Sequence, residues 1–262
     1  MTPTGAQART ATARRALLES IAVRAGEIAL GHFRHVAPER KNDRTLVTQA
    51  DREVETYVAS ALASADPGAG IVGEEGTGRA GQGGRCYVID PIDGTSAFVD
   101  GLPTWCICIG QVEDGEAVAG VVHLPAAAET YSAAAGEAWW NGSRLPLLGD
   151  APRLGDPFVA MDSKAHRRHR LDALAKVRSL GSAAYHAALV ARGAARAALL
   201  GDVRVWDLAA PGALLAAVGG TLEFLDGDPV RLGDLLDGRP LAGDVLVGSP
   251  ASVAELRALL RG

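Results

Sequence analysis

The chain has only three cysteines in 262 residues, Cys86, Cys106 and Cys108. An odd count at this spacing builds no disulfide framework, which sets aside the small stapled secreted scaffolds and points to a reducing, cytoplasmic setting. Cys106 and Cys108 alternate along a strand-like run and so face one side, and they read as small core residues rather than metal ligands. Long apolar runs are missing too. None reaches the roughly 18 residues a bilayer span requires, and the N-terminus has no hydrophobic signal core, so a soluble, unsecreted protein without a membrane partner is expected. Positive charge is short: 26 Lys and Arg stand against 31 Asp and Glu, for a net charge of −5. With no basic stripe, this balance argues against nucleic acid as the main partner. There is no internal repeat, and the glycine-rich stretch 76–84 lacks the Lys-Ser/Thr that would make it a phosphate loop.

What is present is a globular composition, 48% hydrophobic and 22% charged, on a chain long enough to bury a substantial core. Residues 1–13 are small, polar and aperiodic and are expected to form a disordered tail. Apolar periodicity predicts helices over 14–35 and 52–64, then strands near 69–73, 86–90, 104–113, 117–123 and 129–135, with a hairpin turn at 113–116. Past a cluster of Asn, Gly, Asp and Pro at 141–156 the rhythm alternates. It gives strand 157–161, helices 166–177 and 182–192, strand 195–200, helix 208–218, strands 221–225 and 244–248, and helix 250–261. The expectation is an α/β protein, with an α+β half over 14–145 and an α/β half over 146–262.

Three acidic segments carry the chemistry. In Cys86-Tyr87-Val88-Ile89-Asp90-Pro91-Ile92-Asp93-Gly94-Thr95 an apolar strand stops at two aspartates on a Pro/Gly turn. Carboxylates so placed can face one point and suit a hard, oxygen-loving cation such as Mg²⁺, although a solvated surface turn has the same composition. Thr95 brings a hydroxyl to the same place. A second strand, 69–73, ends at Glu74 and Glu75. In Val205-Trp206-Asp207 an acid opens a small-residue helix, where a structural N-cap is the simpler reading of Asp207 taken alone. Asp51 falls in the first turn of the helix over 52–64, where the helix dipole favours a carboxylate.

Jointly these segments resemble the inositol monophosphatase family of metal-dependent, lithium-sensitive phosphomonoesterases. The resemblance rests on Gly73-Glu74-Glu75, Asp90-Pro91-Ile92-Asp93-Gly94-Thr95 and Trp206-Asp207-Leu208-Ala209-Ala210, in that order, with Leu46-Val47-Thr48-Gln49-Ala50-Asp51 before them and Gly181-Ser182-Ala183-Ala184 between. It implies a layered αβαβα sandwich, a homodimer and two to three Mg²⁺ per subunit. By resemblance Glu74, Asp90 and the carbonyl of Ile92 hold one ion, Asp90, Asp93 and Asp207 a second, and Glu74 a weaker third. Thr95 and Asp51 orient and deprotonate the attacking water. Gly94, Thr95, Asp93, Ser182, Ala183, Leu200 and Asp207 would contact the substrate, a small phosphate ester. Inositol monophosphate leads, with histidinol phosphate, fructose 1,6-bisphosphate and adenosine 3′,5′-bisphosphate as alternatives and a non-catalytic regulatory protein as the reading from another class.

The chain departs from the family pattern in three places. An acid that reads sugar hydroxyls is usual seven positions before the Trp-Asp aspartate, where this chain has Leu200. Ser96 and Ala97 follow Thr95 where an Asn is usual, and Pro211-Gly212 falls early in the helix after Asp207. No proposed ion ligand is affected, so the chemistry carries over more safely than the substrate. His166 and His169 read as a solvated helix end or an anion contact. Tyr185 and His186 read as a packed helix face, and Trp139 and Trp140 as core or subunit-contact aromatics.

Overall fold

The computed structural model describes residues 5–35, 37–41, 46–82, 84–149, 158–172, 174 and 176–261. Helix α1 (Gly5–His32) opens the chain, so residues 5–13, expected as a tail, continue the first helix instead; residues 1–4 lie outside the described residues. It buries Leu18, Ile21, Ala22, Ala25 and Ala29, a helical stripe. A short ribbon of β1 (Glu39–Arg40) and β2 (Leu46–Val47) leads to α2 (Gln49–Ala65). Thr48 caps α2 in a capping box: its hydroxyl accepts from the Ala50 N–H, while Asp51 accepts from the Thr48 N–H.

The larger sheet follows. Its strands are β3 (Gly70–Gly73), β4 (Gly78–Arg79), β5 (Arg85–Asp93), β6 (Cys106–Glu113), β7 (Glu116–Leu124), β8 (Glu129–Ala134), β9 (Glu137–Trp140) and β10 (Ser143–Arg144), with the short helix α3 (Thr95–Val99) after β5. The order is β10-β9-β8-β7-β6-β5-β3-β4, antiparallel except for the parallel β3–β5 pair. The smaller sheet is built from β11 (Phe158–Met161), β12 (Val177–Arg178), β13 (Ala195–Leu200), β14 (Thr221–Phe224) and β15 (Val245–Gly248), in the order β12-β11-β13-β15-β14. Its helices are α4 (Ala165–Arg168), α5 (Ala183–Ala191), α6 (Val205–Ala217) and α7 (Pro250–Arg261).

The layers run α1/α2, large sheet, α5/α6, small sheet, α7. One apolar cluster joins α1 and α2 to the large sheet, a second fills the space between the sheets around α5 and α6, and a third lies under α7. The α/β class and the αβαβα stacking follow from that burial. The helix expected over 166–177 is not formed. It stops at Arg168, His169 is extended, and Val177–Arg178 pairs with β11. The reason is tertiary: Arg168 binds Asp162 and Asp244, and His169 also binds Asp244, so the chain is held to the strand ends rather than left to continue its turn.

A local contact fixes the middle layer. Gly110 on β6 and Gly120 on β7 are paired in register, and α6 rests on them. A Cβ at Gly110 would meet Ala209 Cβ at 2.6 Å, and one at Gly120 would meet the Ala210 carbonyl oxygen at 2.7 Å. Only glycine admits a helix backbone this close to a sheet. Pro211, early in the helix by the sequence, stands at the seventh position of α6, past the first turn and inside the helix.

Candidate functional site

Asp90 and Asp93 do not sit on a turn beyond the strand. Both belong to β5, which bulges between them, so that Asp90 faces Cys108 and Asp93 faces Cys106 across the ladder. Pro91 cannot donate to the ladder, which is where bulges form. Alternate partners on β6 put the two carboxylates on one face although they are three residues apart. Asp207 reaches the same face from α6. Asp207 is the third residue of that helix, not its cap, and its carboxylate accepts from the Arg204 N–H at 2.6 Å. One carboxylate oxygen from each of Asp90, Asp93 and Asp207 lies within 4.8 Å of the others.

These three acids line a cleft of about 800 Å³ with Glu74, Ile92 and Thr95. The Thr95 hydroxyl is 3.1 Å from the Ile92 carbonyl oxygen and 3.4 Å from Asp51 Oδ1. Asp51 is fully buried, with its other oxygen bound by both the N–H and the hydroxyl of Thr48, at 2.7 and 2.6 Å. Gly94, at φ +90°, opens α3, and a Cβ there would meet the Gly181 carbonyl at 2.9 Å, so the turn abuts the loop before α5. That loop is committed to Asp93. Ser182 donates to Asp93 Oδ2 at 2.6 Å, as does the Ala184 N–H, and the Ala183 N–H donates to Oδ1 at 3.3 Å.

The electrostatics favour a cation. Burial, then the neighbouring Glu74, Asp93 and Asp207 charges, push the Asp90 carboxyl well above its usual range. Burial and Asp93 do the same to Asp207. Burial raises Asp93 and Glu74 as well, opposed by Ser182 and the α5 N–H groups in one case and by Lys41 in the other. Acids crowded in this way stay ionised only with a compensating charge, and an all-oxygen set fits a hard divalent ion.

Leu200 is not at the rim of this cleft. It is 1% exposed, at the end of β13, and forms part of the wall of an adjoining side cavity of about 250 Å³. Asp93, Ser96, Lys164, Gly181 and Asp207 border both spaces. His186 is in that wall too, buried among α5 contacts and accepting the Leu180 N–H at 2.9 Å. His169 is tied to Asp244 and borders a separate cavity.

Two residues escaped the sequence reading. Glu55, on the buried face of α2, accepts the N–H groups of Glu75 and Thr77 at 2.7 and 2.8 Å and so sets the turn that presents Glu74. Its signal was an acid amid Val54, Val58 and Ala59 on the apolar stripe. Lys41 lies 2.9 Å from Glu74 and 2.6 Å from Glu75, and nothing local in the sequence pointed to it.

The model of the inositol monophosphatase family matches residues 10–259. The chain belongs to the inositol monophosphatase family. It is 36% identical over 203 residues to a histidinol-phosphatase of Mycobacterium tuberculosis, over 72% of this chain and 78% of that one. It is 29% identical over 244 residues to an inositol-1-monophosphatase of Rhizobium meliloti, over 88% of each. The structure of a Thermotoga maritima IMPase superposes with a TM-score of 0.80 at 27% identity, over 92% of this chain and 94% of that one. This member of the inositol monophosphatase family is therefore a phosphatase of a metal-dependent kind, and no helix among its described residues is long and apolar enough to cross a membrane.

Proposed function

We propose that this chain is a Mg²⁺-dependent phosphomonoesterase that releases inorganic phosphate from small esters, inositol monophosphate first among them. The observation that carries it is the convergence of Asp90, Asp93 and Asp207 on the floor of an open cleft. Glu74, Asp90 and the Ile92 carbonyl would hold one Mg²⁺, and Asp90, Asp93 and Asp207 a second, with Glu74 available to a third. Bound there, the ions would neutralise the phosphate dianion and lower the pKa of an attacking water.

The remaining roles belong to the chain. Thr95 lies between the Ile92 carbonyl and Asp51, so its hydroxyl can orient a water and relay a proton to Asp51. Asp51 is rigid in this role because Thr48 holds its far oxygen. The N–H groups of Gly94 and Thr95 at the start of α3 would donate to the phosphate oxygens. Ser182 and Ala183 keep Asp93 aimed and border the side cavity, where the alcohol would sit against Leu200. Leu200 offers no acceptor at that point of the wall, which supports broad tolerance among polyol esters, so histidinol phosphate, fructose 1,6-bisphosphate and adenosine 3′,5′-bisphosphate belong in the same assay. Lithium sensitivity and a homodimer complete the reading, and three free buried cysteines are consistent with a reducing cytoplasm.

The test is phosphate release from this ester panel with and without Mg²⁺, then with rising LiCl against a KCl control. Metal-dependent release that LiCl suppresses is expected. No release from any ester at saturating Mg²⁺ would leave a non-catalytic protein on this fold.

A further inference from the structure

Cys106 and Cys108 are fully buried on β6, opposite Asp93 and Asp90 in register. Cys106 Sγ lies 3.6 Å from Cys108 Sγ, 3.7 Å from Asp93 Oδ2 and 3.3 Å from Ser182 Oγ. The donor atoms of Cys106, Cys108 and Asp93 all fall within 4.8 Å of one another. A tetrahedral ion with sulfur bonds of about 2.3 Å and oxygen bonds of about 2.1 Å holds its sulfurs ~3.8 Å apart and sulfur from oxygen ~3.6 Å apart. The Cys106–Cys108 and Cys106–Asp93 distances match that spacing to within a few tenths of an ångström, and Cys108 Sγ lies within 4.8 Å of an Asp93 carboxylate oxygen. A disulfide fits less well, because residues two apart on a strand have Cα atoms about 6.6–6.8 Å apart, the outer limit for the bond.

We propose that Cys106, Cys108 and Asp93 form a second cation site, for a thiophilic divalent ion such as Zn²⁺ or Cd²⁺, whose occupation inhibits the enzyme. Two sulfurs and one oxygen select a soft ion, whereas the neighbouring all-oxygen cluster selects a hard one. Each thiol releases its proton to solvent on ligation. Asp93 borders both the cleft and the side cavity, so the buried thiol pair lies one carboxylate away from them. The site itself stands on the thiol geometry alone. Inhibition rests on the reading of Asp93 as an Mg²⁺ ligand, since one carboxylate is then shared between two incompatible ions.

The experiment titrates Cd²⁺, then Zn²⁺, into the full chain at saturating Mg²⁺, recording cadmium–thiolate charge-transfer absorption and phosphate release together. The expected result is a thiolate band that rises as activity falls. Cys106→Ala and Cys108→Ala should each weaken the band and shift half-inhibition by more than about tenfold, the scale at which even an outer partner of a metal ligand is felt. Activity without Cd²⁺ should be unchanged in Cys108→Ala, and Cys86→Ala should behave as wild type. Absence of the band overturns the site, as does a band that persists in both variants. Inhibition equal in wild type and variants places the ion on the carboxylates instead and also overturns it. A band without inhibition overturns the inhibitory role. The band reports on the site even if no ester is hydrolysed, so this proposal and the phosphatase reading fail separately.

Discussion

Asp90 and Asp93 leave one bulged strand, with Thr95 two residues on. The side cavity next to them is walled from distant places in the chain, among them the segment after β11, the start of α5, the end of β13 and the segment before α6, as well as Asp93 and Ser96. In the first region the donors are fixed by backbone a few residues long. In the second they are fixed by how distant elements pack. On the function proposed above, reaction chemistry and ester choice then rest on differently built parts of one site, so that the second can be rebuilt while the first stays constant.

The sharpest way to break this contrast is Asp90→Asn. The variant should fold, and its phosphate release at saturating Mg²⁺ should fall by on the order of 10²–10³ or more, because one electrostatic element of the transition state is lost. Activity within twofold of wild type would remove Asp90 from the ion site.

On the cavity side, burial depresses His186 to a pKa of about 4 from an ordinary 6.5. The unfolded chain therefore binds this proton first. Stability from a neutral His186 is complete above about pH 6.5 and is lost as the pH falls towards 4, by about 3 kcal/mol. The raised carboxyls of the ion site titrate in the opposite sense, so the measurement is the difference in urea stability between wild type and His186→Gln across that window. A constant difference would show that acid does not act on the cavity wall.

At the joint between the regions, Gly120→Val drives a side chain into the Ala210 backbone. The expected cost is about 1–3 kcal/mol in unfolding free energy. The concentration of Mg²⁺ needed for half-activity should rise with it, because Asp207 moves with α6. A stability loss at constant Mg²⁺ dependence would separate the helix seat from the ion site.

Smallest is the effect of Leu200→Glu, which should raise kcat/KM for inositol 1-phosphate relative to glycerol 2-phosphate. A hydroxyl left without its partner costs about 1–3 kcal/mol, so about 5- to 150-fold in the ratio is at stake. A ratio already above about a hundredfold in wild type, or unmoved by the substitution, would place ester recognition elsewhere.

The same contrast explains what could be read in advance. Asp51, Glu74, Asp90, Asp93, Thr95 and Asp207 each stand beside a strand or helix boundary with its own local signal, and the fold brings Asp90, Asp93 and Asp207 together. The bulge could not be seen, because Asp-Pro-Ile-Asp-Gly suits a turn equally well until β6 is there to pair with it. Glu55 and Lys41 act on Glu74 from 19 and 33 residues away, a separation that no window spans. The supposed helix over 166–177 fails for the same reason, since Asp244, which holds its start, comes much later in the chain. The alternation along β6 puts Cys106 and Cys108 on one face, yet what that face meets depends on Ser182 at the start of α5.

The glycine seat under α6 has one more consequence. Most helices ride on a sheet through a cushion of side chains, whose rotamers absorb small changes in packing. Here Gly110 and Gly120 leave no cushion, and backbone meets backbone like a mechanical stop rather than a spring. Substitutions elsewhere between the sheets can then loosen or tighten the protein without altering how far α6 descends. The gap between Asp207 and the two aspartates of β5 is set by a hard contact, and tolerance to drift in the surrounding core follows from that stop.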